Sequence, residues 1–238
     1  MLILGYLKKI MKWIVVAFFA STILSVILFR FVPVFVTPLM LLRVAEQVKN
    51  GEEIKMKHRW VSIEHMSIYM PIAVIASEDG NFLSHHGFDF EAIQKAAKRN
   101  MEHPEKRKLG ASTISQQTAK NVFLWPSRSW LRKGLEVYFT TLIELMWSKK
   151  RIMEVYLNSI ETGKGIYGVE AVAREHFGCS AEELSRSQCA LIAATLPNPR
   201  RFSSLHPSNY MLKRQHRIQR EMVHVPVFLA KDKEENTK

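Results

Sequence analysis

From Trp13 to Phe29 the chain runs without a charged residue, WIVVAFFASTILSVILF, and this stretch limits the available folds more than any other. It is slightly shorter than the roughly 20 residues that cross a bilayer as a helix. Beyond Arg30, however, the apolar character resumes as FVPVFV and reaches Val36, and an arginine near a helix end can snorkel to the interface. Lys8, Lys9 and Lys12 precede the run; by the positive-inside rule they hold the N-terminus in the cytoplasm and send the remainder across. A cleavable signal peptide would share the basic start, but no clear small-x-small cleavage site follows at the right distance. The expectation is a basic segment at 1–12, one uncleaved transmembrane helix at 13–36, a connector at 37–67, a folded domain at 68–225 and a polar tail at 226–238.

Charge narrows the choice of partner. Across 238 residues, 34 Lys and Arg face 22 acids, a formal net charge of +12. Such a surplus suits nucleic acid, a lipid surface or a phosphorylated substrate. No glycine-rich phosphate loop, RNA-binding signature or zinc spacing is present, which removes the first of these and points to membrane lipid and a phosphorylated substrate. The two cysteines, Cys179 and Cys189, read as small buried apolar side chains rather than a disulfide framework.

Within the exported part, ASEDGNFLSHHG at Ala76–Gly87 is the stretch on which the rest is organised. An apolar helix over Met70–Ser77, with Pro71 in its first turn, delivers Glu78 and Asp79 to a turn marked by Gly80, Asn81 and Gly87. A carboxylate at the end of a buried helix has apolar walls that disfavour its charged form, as a general base requires; taken alone, the pair also reads as ordinary surface acids. Leu39–Lys49 could extend the membrane helix until Asn50-Gly51 stops it, Trp60–Ile63 reads as a short strand, and Phe90–Met101 as a helix. In GASTISQQTAKNVFL, Gly110–Leu124, Ser112 or Thr113 caps a helix on which Gln116 and Lys120 share a face, as do Gln117 and Asn121. A helix start followed by a lysine one to two turns on suits a phosphate group. Val122–Pro126, VFLWP, reads as core or as a segment dipping into the lipid headgroup layer, and the membrane anchor favours the latter.

The clearest helical period is Trp130–Ser148, with Leu131, Leu135, Tyr138, Leu142 and Leu145 on one stripe and Arg132, Lys133 and Glu136 within about a turn on another face. Arg151–Ser159 and Glu170–Phe177 are further helices, the latter stopped by Gly178. Ser180 with Glu183 and Ser185 with Gln188 read as capping boxes. Ser208–Val225 closes the domain as an amphipathic helix, with Met211, Gln215, Ile218 and Met222 on one side. Strand signals are few, so the class is mainly α.

Taken together these motifs resemble the peptidoglycan glycosyltransferases. Glu78-Asp79-x-x-Phe82-x-x-His85-x-Gly87 resembles that family's first motif, and Gly110-x-Ser112-Thr113-Ile114-x-Gln116-Gln117-x-x-Lys120-Asn121 its second. Arg132-Lys133-x-x-Glu136 is similar to the third, and Lys149-x-x-Ile152-Met153-Glu154-x-Tyr156-Leu157-Asn158 to the fourth, with Met153 where Leu is more usual. The resemblance spans about Val61–Arg220 and, with no transpeptidase domain following, points to the monofunctional form. It implies a lysozyme-like, mainly α glycosyltransferase domain with a membrane-facing lobe behind one N-terminal transmembrane helix. It implies polymerisation of lipid II, a disaccharide-pentapeptide on undecaprenyl diphosphate, into β-1,4 glycan at the outer face of a bacterial inner membrane. The implied catalytic residues are Glu78, as general base, and Glu136. The implied substrate-binding residues are Lys120, Arg128, Arg132 and Lys133 on the diphosphate, Ser112, Gln116, Gln117 and Asn121 around sugar and phosphate, and His85 pinning the loop. No cofactor is required; a divalent metal, Mg or Mn, stays open as a ligand of Glu136. The partners implied are lipid II, the growing glycan chain, membrane lipid and cell-wall synthesis or division proteins. Two rivals remain: a muramidase of the same fold, and a basic membrane scaffold for which both glutamates are dispensable.

Overall fold

A computed structural model describes residues 2–106, 108–127 and 129–228. Arg128 and all but the first three residues of the 226–238 tail fall outside that set. The first helix, α1, is Leu2–Phe31. Its segment Gly5–Phe31 is long and apolar enough to cross a membrane, and almost none of it is buried in protein, unlike the core helix of a soluble domain. It differs from the expected 13–36 at both ends: the basic segment is already helical, and the chain leaves the helix before Pro33, a residue that cannot donate to the ladder.

The connector does not extend α1. Thr37 accepts the Met40 N–H and Pro38 occupies the first turn of a separate helix, α2, Pro38–Lys49. The expected strand at Trp60–Ile63 is not formed. The strand lies earlier, β1 at Lys57–His58, and Ile63–His65 is a 3-10 turn. β1 pairs in parallel with β3, Ile166–Tyr167, which pairs antiparallel with β2, Glu161–Gly163. Asn158 explains the shift, because its amide bonds both the N–H (3.0 Å) and the carbonyl (2.9 Å) of Val61. Those backbone groups are satisfied by a side chain and have no need of a ladder.

The domain proper is a helical stack: α3 Tyr69–Glu78, α4 Phe90–Glu102, α5 Ile114–Phe123, α6 Trp130–Met146 and α7 Lys149–Ser159. A short α8, Val169–Val172, runs into a π turn that ends at left-handed Gly178, and α9 Arg186–Thr195 and α10 Asn209–Glu221 complete it. The capping signals account for most of these starts. Thr113–Gln116 and Ser185–Gln188 both close as capping boxes, whereas Ser180 and Glu183 bond each other in a turn with no helix behind it. α3 and α9 pack together, α10 lies across both, and α5 sits between α6 and α7. On α10 the stripe Met211, Gln215, Ile218 and Met222 is buried as its period requires.

Two apolar segments depart from expectation. On α6 the buried face is Glu136, Phe139, Thr140 and Ile143, while Leu131 and Leu145, from the expected stripe, are 70% and 77% exposed. The stripe points to the side where α1 docks: Tyr138 OH meets Thr22 Oγ1 at 2.8 Å and stacks near Phe18 and Phe19. In Val122–Pro126, Val122 and Leu124 are core and Phe123 stacks on Phe139 at 4.6 Å and meets Phe29 of α1. The segment expected to dip into the headgroup layer is therefore mostly a packing segment, exposed only at its end, where Trp125, at 39%, and Pro126 reach the surface.

The junction of α1 with the domain is a built one. Trp147 donates to the Val26 carbonyl at 2.8 Å. Arg151 donates to the carbonyls of Phe29 (3.1 and 2.9 Å) and Val32 (2.7 Å), so a cation from α7 satisfies acceptors that a helix end leaves open.

Gly168 makes a tight backbone approach beside the sheet, with φ +79° and a Cβ position 2.7 Å from the Asn158 carbonyl oxygen. Its ψ of 165° places it in a region open essentially to glycine alone. Gly168→Ala should cost about 1–3 kcal/mol from backbone strain alone, read as a lowered thermal unfolding midpoint of the detergent-solubilised protein. An unchanged midpoint would show that the Asn158 turn gives way freely.

Candidate active site

Glu78 is the last residue of α3, and Asp79 ends the helix. The two adjacent acids have different jobs. Asp79 is buried and faces inward: its carboxylate accepts the Ile114 N–H at 2.9 Å, at the start of α5, and lies 3.0 Å from His85 Nε2. His85 Nδ1 accepts the Gly87 N–H at 3.1 Å, so Nε2 carries the hydrogen directed at Asp79. Thr113 Oγ1 then donates to the Gly87 carbonyl at 2.7 Å. Gly87 has φ +90° and would set a Cβ 3.0 Å from both Thr140 and Glu144, which leaves no room for a side chain. His85 is thus a loop fastener, and the 76–87 and 110–116 motifs are laced into one unit.

Glu78 faces the other way. Its Oε2 lies 3.3 Å from Gln117 Nε2 on α5, and its Oε1 accepts from Ser77 Oγ at 3.1 Å. The Gln117 carbonyl oxygen accepts from the fully buried Tyr156 hydroxyl at 3.2 Å, which orients the amide with its nitrogen toward Glu78. Arg214 of α10 places Nη2 3.0 Å from Ser77 Oγ and 3.5 Å from Glu78 Oε1. Burial pushes the Glu78 carboxyl above the usual carboxylate range; the Gln117 bond, the Arg214 charge and the Ser77 bond oppose that rise.

Beyond Gln117 opens a cleft of about 540 Å³, whose lining includes Gln117, Lys120, Asn121, Ser127, Arg132 and Tyr156. Lys120 is pulled below the usual lysine range by burial; Arg132 and Lys133 act in the same sense, Glu136 and Glu78 against it. Glu136, 3% exposed, receives Arg132 Nη1 at 2.5 Å and the Lys133 ammonium. One carboxylate thereby holds two cations beside a third. The Arg132 Nε and Ser127 Oγ atoms are buried without a hydrogen-bond partner among the described residues, and donors left unmatched in a cleft suit an acceptor from a ligand. A larger open hollow of about 800 Å³ between α9 and α10, bordered by Arg186, Lys213, His216 and Arg220, contains no carboxylate and no motif residue.

The structure therefore brings together Glu78, Gln117, Lys120, Asn121, Arg132, Lys133 and Glu136. Gln116 stands apart: its amide oxygen accepts the Thr113 N–H at 3.1 Å as half of the helix cap, and it does not border the cleft. Ser112 is exposed ahead of the helix and does not border the cleft. A metal does not fit at Glu136. Both of its oxygens are taken by cations, and among the described residues no three His, Cys, Asp or Glu converge, whereas hard divalent ions need several oxygens. Arg214 and Tyr156 were missed as site residues. The first looked like one more charge on the polar side of an amphipathic helix; the second sat in a recognised motif without a role.

Comparison with known proteins identifies the family. Residues 45–223 match the model of the transglycosylase family. A protein of Bacteroides thetaiotaomicron described as a biosynthetic peptidoglycan transglycosylase is 61% identical over 225 residues, 93% of this chain and 90% of the relative. Relatives of the same description from Bdellovibrio bacteriovorus and Caulobacter vibrioides are 55% and 48% identical, with 89% and 90% of this chain and 85% and 91% of the relatives covered.

Proposed function

The chain belongs to the transglycosylase family, and from that premise we propose that it joins lipid II units into β-1,4 glycan with Glu78 as the base. The activity itself, peptidoglycan glycosyl transfer in cell-wall synthesis, follows from the family and its relatives. The observation that carries the assignment of residues is the single Gln117 amide between a buried, pKa-raised carboxylate and a cleft bordered by cations.

In this reading Glu78 takes the proton from the 4-hydroxyl of the acceptor sugar as that oxygen attacks the anomeric carbon of the donor. The new C–O bond forms on the face opposite the diphosphate. The bond from the anomeric carbon to the diphosphate oxygen breaks, its electron pair leaves with the diphosphate, and the centre inverts. The charge that grows on the leaving group is what fixed cations stabilise best. Lys120, Arg132 and Lys133 supply them, with Arg128 as a further candidate outside the described residues. Glu136 does not touch the sugar; it positions Arg132 and Lys133, which would otherwise repel each other and Lys120. Asn121 and Gln117 shape the sugar and phosphate sites, and His85 and Asp79 act on the loop alone. The apolar helix α1 anchors the chain as a single span. Lys8, Lys9 and Lys12 orient it with the domain outside the cytoplasm, and the exposed face of α6 with Leu131 and Leu145 lies against lipid.

Two measurements test the base. Glu78→Gln should retain the fold and lipid II binding but lose glycan synthesis by ~10²–10⁴-fold, the worth of a positioned base; near-normal polymerisation rejects the assignment. A base works only when ionised, so the rate should fall as pH drops through the raised Glu78 pKa, at a higher pH than an ordinary carboxylate gives. Removing Arg214 takes away an influence that lowers this pKa. In Arg214→Met the acid limb of the pH–rate profile should therefore move to higher pH, with activity lost near neutrality and regained in alkali. The other charged or titratable neighbours of Glu78 are Asp79 on its own turn, Lys120 from α5 and Tyr156 from α7; all remain in the variant. A uniform loss at every pH would mean that Arg214 only supports the fold.

A further inference from the structure

The cleft has a second wall, and part of it comes from the juxtamembrane helix. Leu39 and Arg43 of α2 border the same 540 Å³ as Lys120 and Arg132, together with Glu161 and Pro197. Arg43 lies outside the residues matched by the family model, which begin at 45. Its direction is fixed. Leu39, Arg43 and Gln47 share one helix face, and Gln47 is tied down by two bonds to the Lys55 backbone, 3.1 and 2.7 Å.

Arg43 is not used up by its neighbours. Its Nη1 donates to Glu46 at 2.7 Å, while Nε is buried with no hydrogen-bond partner, 3.5 Å from Glu161 Oε2. Arg200 shares Glu46 at 3.6 Å, so two guanidinium groups face two carboxylates. Burial pushes the Glu161 carboxyl pKa up, and the charges of Arg43 and Arg200 oppose that rise. Arg43 Nε thus joins Arg132 Nε and Ser127 Oγ as a third buried atom with no hydrogen-bond partner among the described residues, with Glu161 facing it at 3.5 Å, and all three belong to residues bordering one cleft.

The proposed reaction brings two lipid-linked diphosphates into this space at once, and only one of them departs. The cations on α5 and α6 cluster around Glu136 and serve the departing one. We propose that Arg43 binds the other, the diphosphate that stays on the acceptor. This rests on the polymerisation reading above. Position supports it: α1 ends at Phe31, α2 begins after Thr37, and Leu41, Leu42 and Val48 of α2 are exposed apolar side chains. Arg43 thus borders the cleft from the helix that directly follows the membrane span, the side from which a diphosphate whose lipid remains in the bilayer would enter. A guanidinium, with its planar fork, suits phosphate oxygens.

The test separates the two substrates on the full-length protein in detergent. Lipid II with its 4-hydroxyl blocked can only donate. Lipid II with a phosphonate in place of the anomeric phosphate ester cannot lose its diphosphate and can only accept. Their single coupling gives one lipid-linked tetrasaccharide. Arg43→Met should raise the KM for the acceptor by about 10-fold, the scale of a lost charge-assisted hydrogen bond. The donor KM and kcat should stay within about twofold, the acid limb should not move, and Arg43→Lys should recover part of the loss. Lys120→Ala should instead impair the donor. The proposal is overturned if Arg43→Met leaves both KM values unchanged or raises them equally. It also falls if Glu161→Gln reproduces the acceptor effect, since Arg43 would then only hold the wall through an ion pair. Failure of the parent protein to make any tetrasaccharide overturns the polymerisation reading itself, a result distinct from any difference between variants.

Discussion

The buried carboxylate of Asp79 is the interaction on which the site depends. It accepts at once from the backbone at the start of α5 and from His85, and through His85 and Gly87 it reaches Thr113. Two segments far apart in sequence are thereby set at one separation, and Glu78, the very next side chain toward the helix, is left opposite Gln117. Replacing a buried, multiply bonded carboxylate would leave donors stranded, at a cost beyond that of any one bond. Fastening of this kind sets Glu78 on a helix end without asking its side chain to hold the structure.

The electrostatic design follows from desolvation. A carboxylate moved out of water resists ionisation, and Glu78 is offset by one amide, one hydroxyl and the charge of Arg214. Lysine moved out of water resists protonation, and Lys120 is offset by Glu136. Each of these charges thus has counter-groups that oppose, without cancelling, the shift that burial imposes. Glu136, with two cations on its oxygens, makes a dense positive wall tolerable before any anion arrives.

Much of this was readable from residue order. Helix starts carried by local chemistry, such as Thr113 with Gln116 and Ser185 with Gln188, came out where the side-chain caps put them. The α10 stripe was legible because its helix has protein on one side and water on the other. The α6 stripe misled because periodicity reports only that a face avoids water; lipid and a docked membrane helix satisfy it as well as a core does. β1 and β3, at two residues each, are too short for alternation to register. Motif spacing gave Glu78, Lys120 and Glu136, but Arg214 and Arg43 arrive from helices distant in the chain, and only packing could show that both turn inward. Gln116 and Gln117 are adjacent in one motif, but a single step around the helix puts the Gln116 oxygen on the cap and the Gln117 amide beside Glu78.

The Arg151 bonds to the last carbonyls of α1, with Trp147 on Val26, make the membrane span a structural member of the enzyme and no mere leash. A protein hinged on a slack tether samples many tilts against the bilayer. One whose span is bolted to its folded body inherits a fixed attitude, and a fragment cut free of that span would leave Trp147 and Arg151 without the acceptors that Val26 and Phe29 supply.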